Sequence, residues 1–417
     1  MKNGLFKYLT VLILSLAGSS IYTVPYIKYV FYDIQLEVMN INHMQSGFLL
    51  TIYALGCICT YIPGGIITDR VSPRKALCIS LWCTALLSTL YAYTLSYHTA
   101  IVIWFLFAIS TAFVFWTSLL KAISMAGNRD EQARLFGVYY AGSGLAGALI
   151  NTIALKTSAL TTDPKQGFVY AIMVMAFFSF ICGFLVFLVV KEIQTTNTHQ
   201  DEKFHISHLR LLLKTPILWC FSFIVFTGYA VSSSTTYFTP YLTNVIGISV
   251  EESGFFSIIR SHLFYLIAPL GGYLADKVFR STAKLFIVLF GLLAMTFIGM
   301  LLIESNISPT LISIYTLLPG ALGLMLYGLV FSIMRETNIP LKFSGTAIGI
   351  ASIIGYAPDL FMSTMFGYWL DNYGNDGYTL IFTFLFSASC VGMILSAIIL
   401  KQKDRSTLSL HQGGLYT

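Results

Sequence analysis

Arg260 lies where a cation is expensive. It follows Glu252 by eight positions and precedes Asp276 by sixteen, inside an otherwise apolar helical run. At 1.5 Å per residue this places it roughly 12 Å from the nearer end. Across a bilayer, a guanidinium at that depth costs on the order of 2.5–3.5 kcal/mol. Two readings answer that cost. One is a structural arginine paired to a buried carboxylate. The other, which weighs more, is a cation facing a central cavity, its planar fork gripping a carboxylate, phosphate or sulfonate. His262 lies two positions on, hence on another face, and reads as a packed polar residue.

Asp359 is the second intramembrane charge, 17 residues after Lys342 and 12 before Asp371. Burial would raise its pKa and a nearby arginine would lower it, so three roles stay open: salt bridge to Arg260, proton carrier for coupling, or direct substrate ligand. Pro358 before it frees a backbone carbonyl and kinks the helix. Lys121 and Lys28 stand near helix ends, where a lysine can snorkel to the interface. Better evidence for a polar path is the pair of hydroxyl-rich stretches, Ser19, Ser20, Tyr22, Thr23 and Tyr26 in one run, Ser232 to Tyr237 in another. In hydrocarbon such groups must face protein or water. Trp116 and Tyr356, beside Lys121 and Asp359, complete the set of candidate substrate contacts.

The surrounding chain says what must position these groups. Of 417 residues, 56% are hydrophobic and 10% charged, too few charges to cover a soluble protein of this size. Several apolar runs exceed the ~20 residues that cross a bilayer as helix. The spacing predicts twelve helices, at about Phe6 to Phe31, Met44 to Thr68, Ala76 to Ser96, Ala100 to Met125, Arg134 to Leu155, Phe168 to Val190, Pro216 to Leu242, Glu252 to Ala275, Ala283 to Ile303, Thr310 to Met334, Ser344 to Leu370 and Tyr378 to Leu400. They are called helices 1 to 12 below. The polar stretch 191–215 is a linker, so the expected domains are a bundle over 1–190, the linker, a bundle over 216–400 and a tail over 401–417. Met1 to Ser20 is expected to stay as part of helix 1 and not to be cleaved.

The net charge of +6 calls for no nucleic acid. On this topology 20 of the 24 Lys and Arg fall on one side, which the positive-inside rule makes the cytoplasm, with both termini there. The seven cysteines all lie in apolar segments with no metal-ligand spacing. No nucleophile–base constellation and no Gly-x-x-x-x-Gly-Lys-Ser/Thr loop exists, so the expectation is no enzyme, no cofactor, and energy from a gradient or exchange.

The chain is also duplicated. Asp69 and Asp276 are 207 positions apart, and the same offset pairs Ser46-Gly47-Phe48 with Ser253-Gly254-Phe255 and Gly64-Gly65 with Gly271-Gly272. The stretch Gly65-x-x-x-Asp69-Arg70-x-x-x-Arg74-Lys75 resembles the signature loop of the major facilitator superfamily. The resemblance covers the whole chain. It implies an all-α membrane protein with two pseudo-symmetric six-helix bundles around a cavity exposed alternately to each side. It also implies a cytoplasmic latch at Asp69, Arg70 and Arg74, with Asp276 and Lys277 as a structural echo.

Within that superfamily, Ile62-Pro63-Gly64-Gly65, Phe115-Trp116-Thr117-Ser118-Leu119-Leu120-Lys121 and Gly355-Tyr356-Ala357-Pro358-Asp359 are similar to the YihN-like branch of bacterial permeases. That likeness implies a small polar, anionic solute and makes Lys121, Arg260 and Asp359 substrate or coupling positions.

The leading expectation is a monomeric inner-membrane secondary transporter, symporter or antiporter, of a small organic anion. Arg260, Asp359, Lys121, Tyr22, Tyr26, Trp116, Tyr237 and Tyr356 are its contacts, and Asp359 couples it to H+ or to exchange. The alternatives are an efflux permease for amphipathic cations and, in another class, a non-transporting receptor or scaffold.

Overall fold

The computed structural model describes residues 4–68, 71–126, 132–190, 213–303, 307–337, 339 and 344–413. The described residues are helical almost throughout and include no strand. Nine helices among them are long and apolar enough to cross a membrane, one of which, Ala347–Lys403, carries the positions of both helix 11 and helix 12. Helix 2 is the continuous His43–Thr68, and helix 1 keeps the shorter apolar piece Phe6–Ser20 before it breaks. Large apolar side chains such as Leu86, Phe177, Leu188, Met295 and Ile394 are exposed on these spans, as a lipid-facing surface requires.

The duplication read from the sequence is written in the backbone. A 3-10 turn at Ile27–Tyr29 interrupts helix 1, and one at Ser234–Tyr237 interrupts helix 7, 207 positions later. Each is followed by a short helix, Tyr32–Met39 and Phe238–Asn244. Asn40 then turns the chain through φ 51° and its counterpart Gly247 through φ 79°. The left-handed region tolerates those two residue types best. Helix 2 starts at His43 and helix 8 at Val250, again 207 apart.

The chain divides into two compact units. The first holds residues 1–199, 236–266 and 360–375; the second holds 200–235, 267–359 and 376–417. Helices 7, 8 and 11 thus each change unit partway along, at 235/236, 266/267 and 359/360. Every changeover falls on a 3-10 turn: Ser234–Tyr237, Leu263–Ile267 and Ala357–Leu360. The core of the first unit gathers Phe31, Tyr91, Trp104, Phe107 and Phe168, with Tyr91 and Trp104 edge to face at 4.9 Å. In the second unit, helices 9 and 12 pack closely because Gly392 leaves room for the Phe290 ring.

Candidate functional site

The hydroxyl-rich stretches are where the helices lose their regular ladder. In helix 1, Ser20 and Thr23 donate back to the carbonyls of Ala17 (3.1 Å) and Ser20 (2.8 Å), just before Pro25, which has no N–H to give. In helix 7, Ser234 and Thr235 do the same to Ala230 (2.5 Å) and Ser232 (2.9 Å). Helix 4 carries a π turn at Ile109–Phe113, with Ser110 and Thr111 both donating to the Phe107 carbonyl. Irregular backbone at membrane depth is tolerated where it lies inside protein.

In the first unit, Arg260 ends the regular part of helix 8, Val250–Ser261, and is only 1% exposed. Its Nη2 reaches Thr239 Oγ1 at 3.4 Å, and its guanidinium carbon lies 5.3 Å from the centre of the Phe238 ring. Thr239 donates in turn to the Tyr29 carbonyl at 2.9 Å, and Ser257, one turn before Arg260, donates to the same carbonyl. The cation is therefore tied to the irregular turn of helix 1 and the outer piece of helix 7.

Lys28 does not snorkel: it is 2% exposed, with Nζ 5.4 Å from the Tyr32 ring centre and 5.0 Å from that of Tyr237. Tyr237 donates to the Ser363 carbonyl at 2.7 Å. Tyr22 and Tyr26 belong to a ring network in which Tyr26 contacts Tyr22, Tyr29 and Tyr53 at 6.4, 5.4 and 5.5 Å. The hydroxyls of Tyr53 and Tyr22 both reach Thr111, at Oγ1 (2.7 Å) and at the carbonyl (3.4 Å). Trp116 and Lys121 are half-buried on the helix Phe115–Met125, Trp116 against the core that also takes Tyr22.

His262 is packed, as expected, and its seat is specific. Asn151 Nδ2 donates to the Gly147 carbonyl at 2.9 Å and meets His262 Nε2 at 3.0 Å. Gly144 and Gly147 of helix 5 leave the notch that the imidazole and its backbone occupy.

In the second unit, Asp359 stands in the 3-10 turn Ala357–Leu360 of helix 11 and accepts a hydrogen bond from the Tyr229 hydroxyl. Tyr356 joins it: its ring is perpendicular to that of Tyr229 at 4.8 Å, and its hydroxyl is 3.3 Å from that of Tyr327. Sequence reasoning missed Tyr229 and Tyr327, because an aromatic in an apolar helix reads as packing. One signal was available: Tyr229 is the repeat partner of Tyr22.

Of the expected latch, Asp69 and Arg70 lie outside the described residues. Arg74 lays its guanidinium over the Phe187 ring at 4.1 Å, and Asp276 and Lys277 are exposed on the π turn Leu274–Val278.

Comparison with known proteins agrees with this architecture. The model of the Major Facilitator Superfamily matches residues 8–357. The inner membrane protein YihN of Escherichia coli (strain K12) is 26% identical over 397 residues, covering 94% of each chain. The hexuronate transporter of Bacillus subtilis (strain 168) is 24% identical over 256 residues, 59% of each chain. Among solved structures, a point mutant of the nucleoside transporter NupG superposes with a TM-score of 0.69 at 14% identity, covering 95% of this chain and 98% of that one. The chain is a membrane-embedded solute transporter and not an enzyme, and it belongs to the major facilitator superfamily.

Proposed function

We propose that the protein carries a small polar organic anion across the bacterial inner membrane, by alternating access between the halves 1–190 and 216–400, joined by the 191–215 linker. In this reading it works as a monomer with both termini cytoplasmic. Arg260 is the counter-charge, Tyr22, Tyr26, Tyr237, Tyr356, Trp116 and Lys121 line the path, and Asp359 couples movement to H+ or to exchange. The observation that carries the reading is the burial of Arg260 within protein at membrane depth, 1% exposed and turned onto hydroxyl and aromatic partners. A guanidinium held there is pre-organised for a planar anionic group. Support also comes from the relative named a hexuronate transporter, whose named cargo is a sugar acid.

The test is thermal unfolding of the purified full chain with glucuronate, with uridine as the neutral probe and tetraphenylphosphonium as the cationic one. Glucuronate at about a hundred times its Kd should stabilise by about 2.7 kcal/mol. Arg260→Ala should weaken that binding by at least about thirtyfold, in line with the 2–5 kcal/mol lost when a buried charge pair loses one member. Arg260→Lys, which keeps charge but not the fork, should fall between. Stabilisation by uridine alone would overturn the anion reading. Stabilisation by the phosphonium alone would move it to cation efflux.

A further inference from the structure

Anion binding at Arg260 leaves unexplained why a carboxylate is held by a phenol in the second unit. The geometry is built by two glycines. A Cβ on Gly355 of helix 11 would overlap Val225 of helix 7, and one on Gly228 of helix 7 would overlap Leu326 of helix 10. One turn beyond the first contact stand Tyr229 and Asp359; one residue beyond the second stand Tyr229 and Tyr327. Close backbone approach thus delivers the Tyr229 hydroxyl to Asp359 Oδ2, with the ring wedged 4.8 Å from Tyr356 and 5.6 Å from Tyr327. Among the described residues, the titratable side chains gathered about the Tyr229–Asp359 pair include Tyr327 from helix 10 and Tyr356 from helix 11, both packed on the Tyr229 ring.

The internal repeat supplies a control. Tyr22 occupies the position of Tyr229 in the first half, and its hydroxyl reaches the neutral carbonyl of Thr111. The second-half copy bonds instead to a group whose charge can change. That bond also joins two helices beside the turns at which each passes from one compact unit to the other: Asp359 is inside the turn of helix 11, and Tyr229 is five residues before the turn of helix 7. Hinges are a few such element-terminal residues.

We propose that Tyr229 is the positioning residue that passes the charge state of Asp359 to the turns of helices 7 and 11. With Asp359 ionised, the charge-assisted phenol bond holds the two helices together at their turns. When the carboxylate takes up a proton, that bond weakens and the turns are released. The inference rests on reading Asp359 as the coupling site and is independent of the anion's identity.

Hydrogen–deuterium exchange of the full chain in lipid nanodiscs tests it with no substrate present, the proton being the probe. After correction for intrinsic exchange chemistry, acidification from mildly alkaline to mildly acidic pH should lower protection of residues 229–237 and 355–362 by roughly ten- to a hundredfold, as loss of a hydrogen bond to a charged group implies. Asp359→Asn and Tyr229→Phe should each show the low protection at every pH, and the double variant should match either single one. Tyr327→Phe, which removes the hydroxyl contact to Tyr356, should respond like the wild type. Tyr229→Phe keeps the ring contacts, and unchanged protection of Pro164–Val189 verifies its fold.

A wild-type response retained in Tyr229→Phe overturns the role of Tyr229, and if Asp359→Asn loses it the coupling reading of Asp359 stands. No response in the wild type overturns both, while stabilisation by glucuronate through Arg260 would still support the anion reading.

Discussion

The carboxylate of Asp371, at the far end of helix 11, accepts the backbone N–H of His43 at 2.9 Å and, through its other oxygen, that of Met44 at 2.8 Å. A helix start leaves its first N–H groups without intrahelical partners. Here two sources divide them. Asn42 and Gln45 form a local reciprocal pair, each side chain accepting the other's N–H, at 3.0 and 2.8 Å. Asp371 satisfies the remaining two from 328 and 327 positions away. The helices come that close because Gly47 makes room for the Ser363 carbonyl and Gly367 for that of His43.

Replacing Asp371 by Ala removes both bonds at a helix N-terminus, where the dipole also favours a negative charge. The expected loss is about 1–3 kcal/mol, with Asp371→Asn losing less because an amide oxygen still accepts. Thermal unfolding in detergent reads both. A loss no greater than that of the exposed Asp376→Ala would mean that water caps the helix as well as the carboxylate does.

Much of this was legible in the sequence, and the boundary has a physical cause. Hydropathy located the spans, and the 207-residue offset anticipated paired features such as the turns at Ile27 and Ser234. Arg260, Asp359 and the hydroxyl runs stood out because each is costly in hydrocarbon. Which side chains meet across helices was not legible. In a membrane both the lipid face and the protein face are apolar, so periodicity cannot tell Tyr229 against Asp359 from a tyrosine in lipid. Lys28 is the clearest case: its position near a helix end is that of a snorkelling lysine, yet the rings of Tyr32 and Tyr237 enclose it.

The notch for His262 makes a second prediction. Asn151 Nδ2 gives one hydrogen to the Gly147 carbonyl and the other to His262 Nε2, so the imidazole accepts there and carries its proton on Nδ1. A Cβ at residue 147 would sit 2.6 Å from that Nδ1. Gly147→Ala should therefore cost about 1–3 kcal/mol by overpacking. His262→Ala should remove the imidazole's share of that penalty and leave the Ser19 Oγ contact at 2.8 Å, so the double variant is more stable than the two single losses added together. Additive losses in unfolding experiments would place the strain on Ser19 of helix 1 and not on the imidazole.

Asp33 lies on the short helix Tyr32–Met39 between helices 1 and 2. Burial pushes its pKa up, against the downward pull of hydrogen bonds from Thr243, at 2.7 Å, and Asn244. A carboxyl raised in the fold binds its proton more tightly than in the unfolded chain. Its contribution is fully present below the unfolded value of 3.8 and is lost as pH rises through the raised folded value. Asp33→Asn cannot titrate, and its amide oxygen still accepts from Thr243. The melting temperature of Asp33→Asn relative to wild type should therefore climb as pH rises from 3.8 through the raised folded value. A difference that is flat with pH would show that Asp33 titrates alike in both states.

Glu336 and Lys403 separate a buried cap from a surface ion pair. Glu336 closes helix 10 and is buried at 8% exposure. Its oxygens accept from Ser281 Oγ at 2.7 Å and from the Thr282 N–H at 2.6 Å, while Ser281 Oγ accepts from the Lys284 N–H at 3.3 Å. The start of helix 9 is thus held through one carboxylate. Lys403 reaches the same carboxylate oxygen as Ser281, at 3.4 Å, but its own side chain is 36% exposed. With its lysine end open to water, the pair is worth about 1 kcal/mol or less. Truncating the buried acceptor strands Ser281 and the helix-9 N–H, at about 1–3 kcal/mol for the group left unsatisfied. Glu336→Ala should therefore destabilise two- to threefold more than Lys403→Ala in free energy, and high salt should reduce only the Lys403 effect. Equal losses would mean that the ion pair to the end of helix 12 matters as much as the cap on helix 9.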